Sequence, residues 1–309
     1  MARNSGDSAS RCFQSDYGYY NKSDYAMYAC MVVMLALYLG TVIALCVVRR
    51  KTGPGKHLIG IPYMLALLFM FIEQALAFIS ATLLACEISV DIRRIYDTNI
   101  AINVFSGINT FLLLFVVIYT LNTMLRKQLG HNPSSLRIAL GIDLFVLGSL
   151  LLSSVVLVAY LYWHFSRAYF RGYISISPMS PLYVTLAFSA VFLISILASG
   201  ALSIAAARSL KKRNSASNSF VAWIAVLIAL LFGNSLLNII MDSLQVSSIG
   251  LRGDSYVAMA WMSSIFRGLA YITIIIIAKN PAWRSNREQP HAYIDQHEAP
   301  AYHGMSQRV

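Results

Sequence analysis

Residues 219–242 read SFVAWIAVLIALLFGNSLLNIIMD, a run with no Lys or Arg and with one acidic residue, Asp242, at its end. A helix needs about 20 mostly apolar residues to cross the hydrocarbon core of a bilayer. The run therefore predicts a membrane-spanning helix. It also carries two amides, Asn234 and Asn238, whose hydrogen bonds lipid cannot satisfy. This one stretch thus predicts that the chain lies in a bilayer and that polar side chains are enclosed between its helices.

Six further segments are similarly long and apolar, so we expect an all-α, polytopic membrane protein with seven helices. They cover residues 26–48, 58–85, 98–125, 136–162, 180–206 and 255–278. The chain of 309 residues is 58% hydrophobic and only 12% charged, against roughly 25% charged residues in soluble domains. We expect three parts: a polar outer tail (1–25), a seven-helix transmembrane domain (26–278) and a disordered cytosolic tail (279–309).

The Lys and Arg residues of the loops predict the orientation, because cytosolic loops are enriched in them. Fifteen fall on the side that includes residues 208–213, eight fall on the other side, and Arg267 lies inside helix 7. We therefore expect the N-terminus outside and the C-terminus in the cytosol. The net charge of +11 then indicates a lipid bilayer with anionic headgroups as the partner, rather than nucleic acid.

The expected outer side holds two features of secretory-pathway proteins. Asn21 begins the sequon Asn21-Lys22-Ser23 and is a candidate glycosylation acceptor. Cys12 and Cys86 fall on the same side, where either a disulfide or two free thiols are compatible with the sequence. The four cysteines show no metal-binding spacing, so we expect no metal.

Four ionisable residues fall within the predicted spans: Glu73, Asp143, Asp242 and Arg267. Such residues are costly in lipid and usually face the interior of the bundle. Glu73 and Arg267 lie at similar depth, which leaves two interpretations open. They form a buried ion pair that only fixes helix packing, or Glu73 belongs to a protonating site.

Amide side chains cluster towards the outer half of the predicted bundle. Asn234, Asn238 and Asp242 are spaced i, i+4, i+8 and share one helix face, and helix 3 adds Asn103 and Asn109. We predict a polar pocket built from helices 2, 3, 6 and 7 and open or gated towards the outer leaflet. The alternative is that the amides only join helices.

An acid in such a pocket suggests one chemistry. An apolar cavity favours the protonated form of a carboxyl group, which can protonate an alkene or epoxide. Aromatic faces stabilise the resulting carbocation, and the relevant helices carry Tyr63, Phe71, Phe78, Trp261, Phe266 and Tyr271. In this hypothesis Glu73 and Asp242 are proton donor and partner. Asn234 and Asn238 hold the donor's geometry, and Arg267 adjusts its acidity.

Two short motifs, Phe71-Ile72-Glu73-Gln74 and Ile240-Met241-Asp242-Ser243, together with size and helix count, carry a family resemblance. In these features the chain resembles fungal membrane-bound terpene cyclases of meroterpenoid biosynthesis. The resemblance implies acid-initiated cyclisation of a prenylated small-molecule substrate in secondary metabolism, an isomerase or lyase activity with no cofactor and no metal. We expect an internal membrane, such as the endoplasmic reticulum, rather than the plasma membrane.

The topology also resembles seven-helix receptors, with the N-terminus outside, a basic third cytosolic loop at 208–213 and a polar tail inside. That resemblance implies ligand-dependent coupling through the basic loop. Other classes fit less well. A retinal protein needs a lysine in the middle of helix 7, where this chain has Phe266-Arg267-Gly268, and a zinc hydrolase needs intramembrane histidines, whereas His57 and His164 lie at span edges.

Overall fold

The computed structural model describes residues 22–51, 54–85, 92–130, 134–168, 177, 179–213, 217–247 and 253–283. All regular secondary structure in these ranges is helical. Seven long helices follow one another along the chain: α1 (Lys22–Lys51), α2 (Ile61–Ala85), α3 (Ile92–Leu114 continued through Phe115–Leu121 and Asn122–Gln128), α4 (Ser134–Ala168), α5 (Ser180–Lys212), α6 (Asn218–Val246) and α7 (Gly253–Lys279).

Each of the seven helices is long and apolar enough to cross a membrane, which confirms the predicted number of spans. All of the helices except α2, which begins at Ile61 rather than residue 58, are longer than the apolar runs that predicted them. For example, α1 begins at Lys22 rather than residue 26, and α4 continues to Ala168 rather than residue 162. The difference arises because hydropathy detects only the apolar stretch, whereas backbone hydrogen bonding continues through the polar residues that follow it.

The helices form a ring in which each packs against its neighbours in sequence, and α1 packs against α7. Two contacts show that α1 and α2 run antiparallel: the Tyr28 and Thr82 hydroxyls are 3.1 Å apart, and Arg49 Nη1 lies 2.8 Å from Met64 Sδ. We call the end with the first residues of α1, α3, α5 and α7 the cavity end. The opposite end, where the α5–α6 connection lies, is the basic end.

The outer surface of the bundle is apolar. Phe145, Ile61 and Ile194 expose 75%, 68% and 67% of their surface. Exposed apolar area on this scale would be a liability in water, but it is the expected exterior of a bundle surrounded by lipid. Polar side chains are instead buried between the helices, as Asn109 and Asn122 are.

The helix α3 is not α-helical throughout. Residues Phe115–Leu121 form a π-helical segment, whose side chains Val116, Val117 and Ile118 are buried. No proline or glycine in this stretch signals the change. Extended π segments are rare and occur often at functional positions. The segment contacts α2, α4 and α5, so α3 changes its winding where it passes through the middle of the bundle.

Directly after the π segment, Asn122 connects α3 to α5. Its Nδ2 donates to Ser199 Oγ at 2.8 Å, and its Oδ1 accepts from Ser203 Oγ at 3.0 Å. All three side chains are buried. Polar side chains that bond across helices are a recurrent way of fixing helix pairs in lipid. Asn122 is not among the site residues predicted from the sequence.

The chain after α7 does not become disordered at residue 279 as predicted. Residues Pro281–Trp283 form a 3-10 turn, and Trp283 is buried at the basic end of the bundle. Its indole N–H donates to Ile277 O at 2.7 Å, and its ring packs edge-on against Phe220. Proline stops the helix, and the large apolar ring then gains more by packing than by facing water. The remainder of the predicted tail, 284–309, lies outside the described residues.

Candidate functional site

A cavity of about 210 Å³ lies inside the cavity-end half of the bundle. It is surrounded by α3, α4, α5 and α6, with Arg267 reaching it from α7. Its polar lining is Asn103, Ser106, Asn109, Thr110, Ser154, Thr185, Ser189, Asn234, Asn238, Asp242 and Arg267. We predicted helices 2, 3, 6 and 7; in the structure α4 and α5 complete the wall, and no residue of α2 is in the lining. Hydropathy cannot tell which helix face turns inward, which accounts for the difference.

Asp242 is the acidic residue of the cavity lining. Its Oδ2 accepts a hydrogen bond from Ser189 Oγ of α5 at 2.8 Å. Within the described part of the chain, no Lys or Arg forms an ion pair with it. A carboxylate needs several donors when water is scarce, so Asp242 retains capacity to bind a donor or a cation inside the cavity.

The two amides of α6 extend the polar wall away from Asp242. Ser263 Oγ of α7 lies 2.8 Å from Asn234 Oδ1 and 3.4 Å from Asn238 Oδ1. Both amides line the cavity together with Asp242, as their spacing on one helix face requires. The amides therefore do both things that the sequence left open: they join α6 to α7, and they face the cavity. Asn103 also lines the cavity, and its Nδ2 donates to Asn99 O at 2.8 Å.

Glu73 and Arg267 form a buried ion pair below this wall. Arg267 Nη1 lies 3.7 Å from Glu73 Oε1, and the side chains are only 21% and 10% exposed. Glu73 Oε2 is buried and has no hydrogen-bond partner of good geometry among the described residues. Arg267 lines the cavity but Glu73 does not. Glu73 and Asp242 therefore do not line one hollow, although Arg267, the partner of Glu73, lines the cavity.

Behind the ion pair lies a layer of buried tyrosines. The Tyr271 hydroxyl donates to Asn109 Oδ1, and Asn109 Nδ2 lies 2.8 Å from Met70 Sδ. The Tyr63 hydroxyl donates to the Tyr271 carbonyl at 2.9 Å. Tyr271, which the sequence placed in the pocket, is therefore a packing residue that fixes the orientation of Asn109.

The aromatic wall of the cavity comes from α5. Phe188 and Phe192 both line it, with ring centroids 5.9 Å apart. Trp261, predicted to support the pocket, is not in the lining; its indole N–H donates to Ala26 O at 3.1 Å and joins α7 to α1. Neither phenylalanine is among the site residues predicted from the sequence. Their i, i+4 spacing around Ser189 was the available signal, but this spacing is common in packed helices.

The remaining predicted residues lie elsewhere. Asp143 accepts from Ser195 Oγ at 2.7 Å and joins α4 to α5, away from the cavity lining. Asn21, Cys12 and Cys86 lie outside the residues whose structure is described. No cluster of three His, Cys, Asp or Glu side chains suited to a metal ion occurs in the described ranges.

The tyrosine layer provides a stability test with an internal control. Replacing Tyr271 by Phe leaves Asn109 Oδ1 buried without its donor, and we expect the free energy of unfolding to fall by about 1–3 kcal/mol. Tyr38 is equally buried, but its hydroxyl has no partner among the described residues. Tyr38→Phe is therefore expected to be neutral or stabilising. Denaturant unfolding in lipid bicelles measures both, and equal losses would contradict the assigned bond.

The site offers one carboxylate with spare capacity, many hydroxyl and amide groups, an aromatic wall, and a guanidinium that Glu73 already neutralises. Such a set can hold a small polar or cationic group, or can donate a proton when Asp242 is protonated. Comparisons of the chain with models of protein families, with curated proteins and with solved structures find no match.

Proposed function

We propose that the chain is a receptor-like seven-helix membrane protein that binds a small ligand in the cavity lined by α3, α4, α5, α6 and Arg267 of α7. The observation that carries the proposal is the position of the Asp242 carboxylate, inside a polar cavity and without a cationic partner among the described residues. In the orientation expected from the loop charges, the cavity end of the bundle faces the outer side of the membrane. The basic residues 208–213 then face the cytosol, at the opposite end of the bundle.

Two features below the cavity suit a switch. Arg267 lines the cavity and pairs with Glu73, so a cationic group bound at Asp242 changes the electrostatic field that acts on this ion pair. Leu114, at the start of the π segment, lines the cavity, and Asn122 at the end of that segment holds α5. A ligand shifts a two-state equilibrium only through different contacts with the two states. We expect the ligand's contacts to differ between the two states at Arg267 and at the π segment.

An acid-initiated terpene cyclase is the second candidate, favoured by one observation. Asp242 shares its cavity with the stacked rings of Phe188 and Phe192, the pairing of acid and aromatic faces that carbocation chemistry needs. Since Glu73 is outside the cavity lining, the donor role would fall to Asp242. The receptor ranks first because 210 Å³ is below the roughly 300–1,000 Å³ of pockets for drug-sized ligands. A prenylated substrate enclosed entirely within this cavity would require the helices to move apart.

One experiment separates the candidates. The protein in lipid nanodiscs is unfolded by heat in the presence of small amines, or of farnesylated phenols, and the mixtures are analysed for new products. A ligand at a hundred times its Kd adds about 2.7 kcal/mol of stability. We expect amines to stabilise the wild type without turnover, and Asp242→Asn to abolish this effect. Asp143→Asn, a carboxylate outside the cavity lining, is the control. Cyclised product that depends on Asp242 would favour the cyclase instead.

The basic end provides a separate prediction of the receptor proposal. In cells, replacing Lys211, Lys212 and Arg213 by Gln is expected to silence any ligand-dependent signal, because these exposed cations supply the charge that a cytosolic partner would contact. Ligand binding in nanodiscs should stay within a factor of about two of the wild type. A signal that survives the triple substitution would contradict coupling through this loop.

A further inference from the structure

A second hollow lies beside the cavity, on the lipid-facing surface between α3 and α4. This groove has a volume of about 560 Å³, and its lining is almost entirely apolar. Phe145 and Leu152, which are 75% and 65% exposed, form part of it, with Ile108 and Phe111 on the opposite side. The groove therefore has the shape and the chemistry to hold an alkyl chain rather than a polar molecule.

The groove and the cavity share a wall. Gly107, Leu151 and Val155 line both hollows. The wall is thin at Gly107, because this residue has no side chain. A Cβ placed there would lie 2.8 Å from Val155 Cγ2, so α3 and α4 approach closely at this point. The Val155 and Leu151 side chains separate the two hollows there, so a change in their rotamers is the movement that would join the apolar groove to the polar cavity.

The charges next to this wall indicate which polar group a ligand would place in the cavity. Arg267 and Glu73 neutralise each other, so an ionised Asp242 leaves the cavity with one net negative charge. Hydroxyl and amide groups surround it, including Ser189, Asn234 and Asn238. This combination favours a small cationic group that also forms hydrogen bonds.

We propose that the ligand of the cavity is a single-chain amphiphilic amine that enters from the bilayer, with its ammonium group at Asp242 and its alkyl chain in the α3–α4 groove. The inference rests on the proposed function, since it names the ligand class of the same cavity. Lipid chains are as apolar as the groove, so burying the chain there gains little hydrophobic free energy. The head group therefore supplies the affinity, and the groove determines which chains fit.

The test uses photoreactive, alkyne-tagged alkylamines in nanodiscs: one with a long chain, one with a short chain, and a long-chain alcohol as the uncharged counterpart. In the wild type we expect the long-chain amine to label α3 and α4, and the alcohol to label roughly tenfold less. Asp242→Asn should lower amine labelling by about tenfold or more for both chain lengths.

Filling the groove separates the chain site from the head site. Leu152→Trp and Ser149→Phe place bulk in the groove at residues that do not line the cavity. Both are expected to reduce labelling by the long-chain amine by about tenfold and to leave the short-chain amine unchanged. Ile194→Trp, on the lipid-facing side of α5 and outside the groove lining, is the matched control.

The outcomes distinguish the two proposals. If both amines bind through Asp242 but the groove substitutions affect neither, the cavity is a ligand site and the groove proposal is wrong. If labelling by all three probes is equal and insensitive to Asp242→Asn, the head-group assignment fails together with the proposed function. Equal losses for Leu152→Trp and Ile194→Trp would show a general effect of lipid-facing bulk, and would also overturn the groove.

Discussion

Glu73→Gln is expected to lower the free energy of unfolding by about 3–5 kcal/mol, because it leaves the Arg267 guanidinium buried without its counter-charge. Arg267 is 21% exposed and Glu73 10% exposed, so water can replace little of the lost interaction. Arg267→Met should cost a similar amount, because Glu73 then becomes the unpaired charge. Reversible unfolding in bicelles with increasing SDS provides the measurement.

The double variant is the control for this prediction. Glu73→Leu together with Arg267→Met removes both charges and retains apolar volume, and replacing a buried ion pair in this way is often neutral or stabilising. We therefore expect the double variant to be within about 1 kcal/mol of the wild type and to have a large coupling energy between the two sites. Single variants that are both neutral would mean that the pair is solvated and does not restrain α2 and α7.

The same variants bear on function. If the ion pair holds the bundle in its resting arrangement, Glu73→Gln should raise the ligand-independent signal, since Arg267 becomes free to adopt another position. A cyclase with Asp242 as its proton donor predicts a different result, no gain of signal and a product that still depends on Asp242. We expect the raised signal because Arg267 lines the ligand cavity and is also the ion-pair partner of Glu73.

The number of long helices, and the segments that form them, could be predicted because a membrane-spanning helix is recognised by its local composition. A run such as 219–242 is apolar whatever surrounds it, and its amides lie on one face because the helix repeat fixes their spacing. Helix ends and the turn Pro281–Trp283 depend on polar interactions and on a distant partner, Phe220, so hydropathy could not detect them.

The composition of the site was harder to predict because it depends on how each helix is rotated and how deep each residue lies. Ser263, one turn from Arg267, bonds Asn234 and Asn238, and Asp242 lies a further turn beyond Asn238. Two turns amount to roughly 11 Å along the bundle. Glu73, paired with Arg267, is therefore too deep to meet Asp242. The sequence already places Glu73 near the middle of its helix and Asp242 at the outer end of its own. It does not show how each helix is rotated, so it does not show which side chains face the cavity.

Trp283→Ala is the other substitution with a large expected effect, a loss of about 3–5 kcal/mol in the free energy of unfolding. The indole fills a buried space against Phe220 of α6 and donates to Ile277 O of α7. Gly55, between α1 and α2, lies against the same place, because a Cβ added there would be 3.0 Å from Trp283 Cδ1. Trp283 therefore holds three parts of the chain together at the basic end.

Three comparisons identify the cause of that loss. Trp283→Phe keeps most of the ring and should cost less than half as much as Trp283→Ala. Gly55→Ala, whose Cβ would come within 2.0 Å of Ala278 O, should destabilise the same contact from the other side. Phe145→Ala, at a position 75% exposed on the apolar outer surface, should change stability by no more than about 1 kcal/mol, since few protein contacts are lost. If Trp283→Ala were as mild as Phe145→Ala, the indole would not be part of the packed core. The basic end could then rearrange freely when a ligand binds at the opposite end of the bundle.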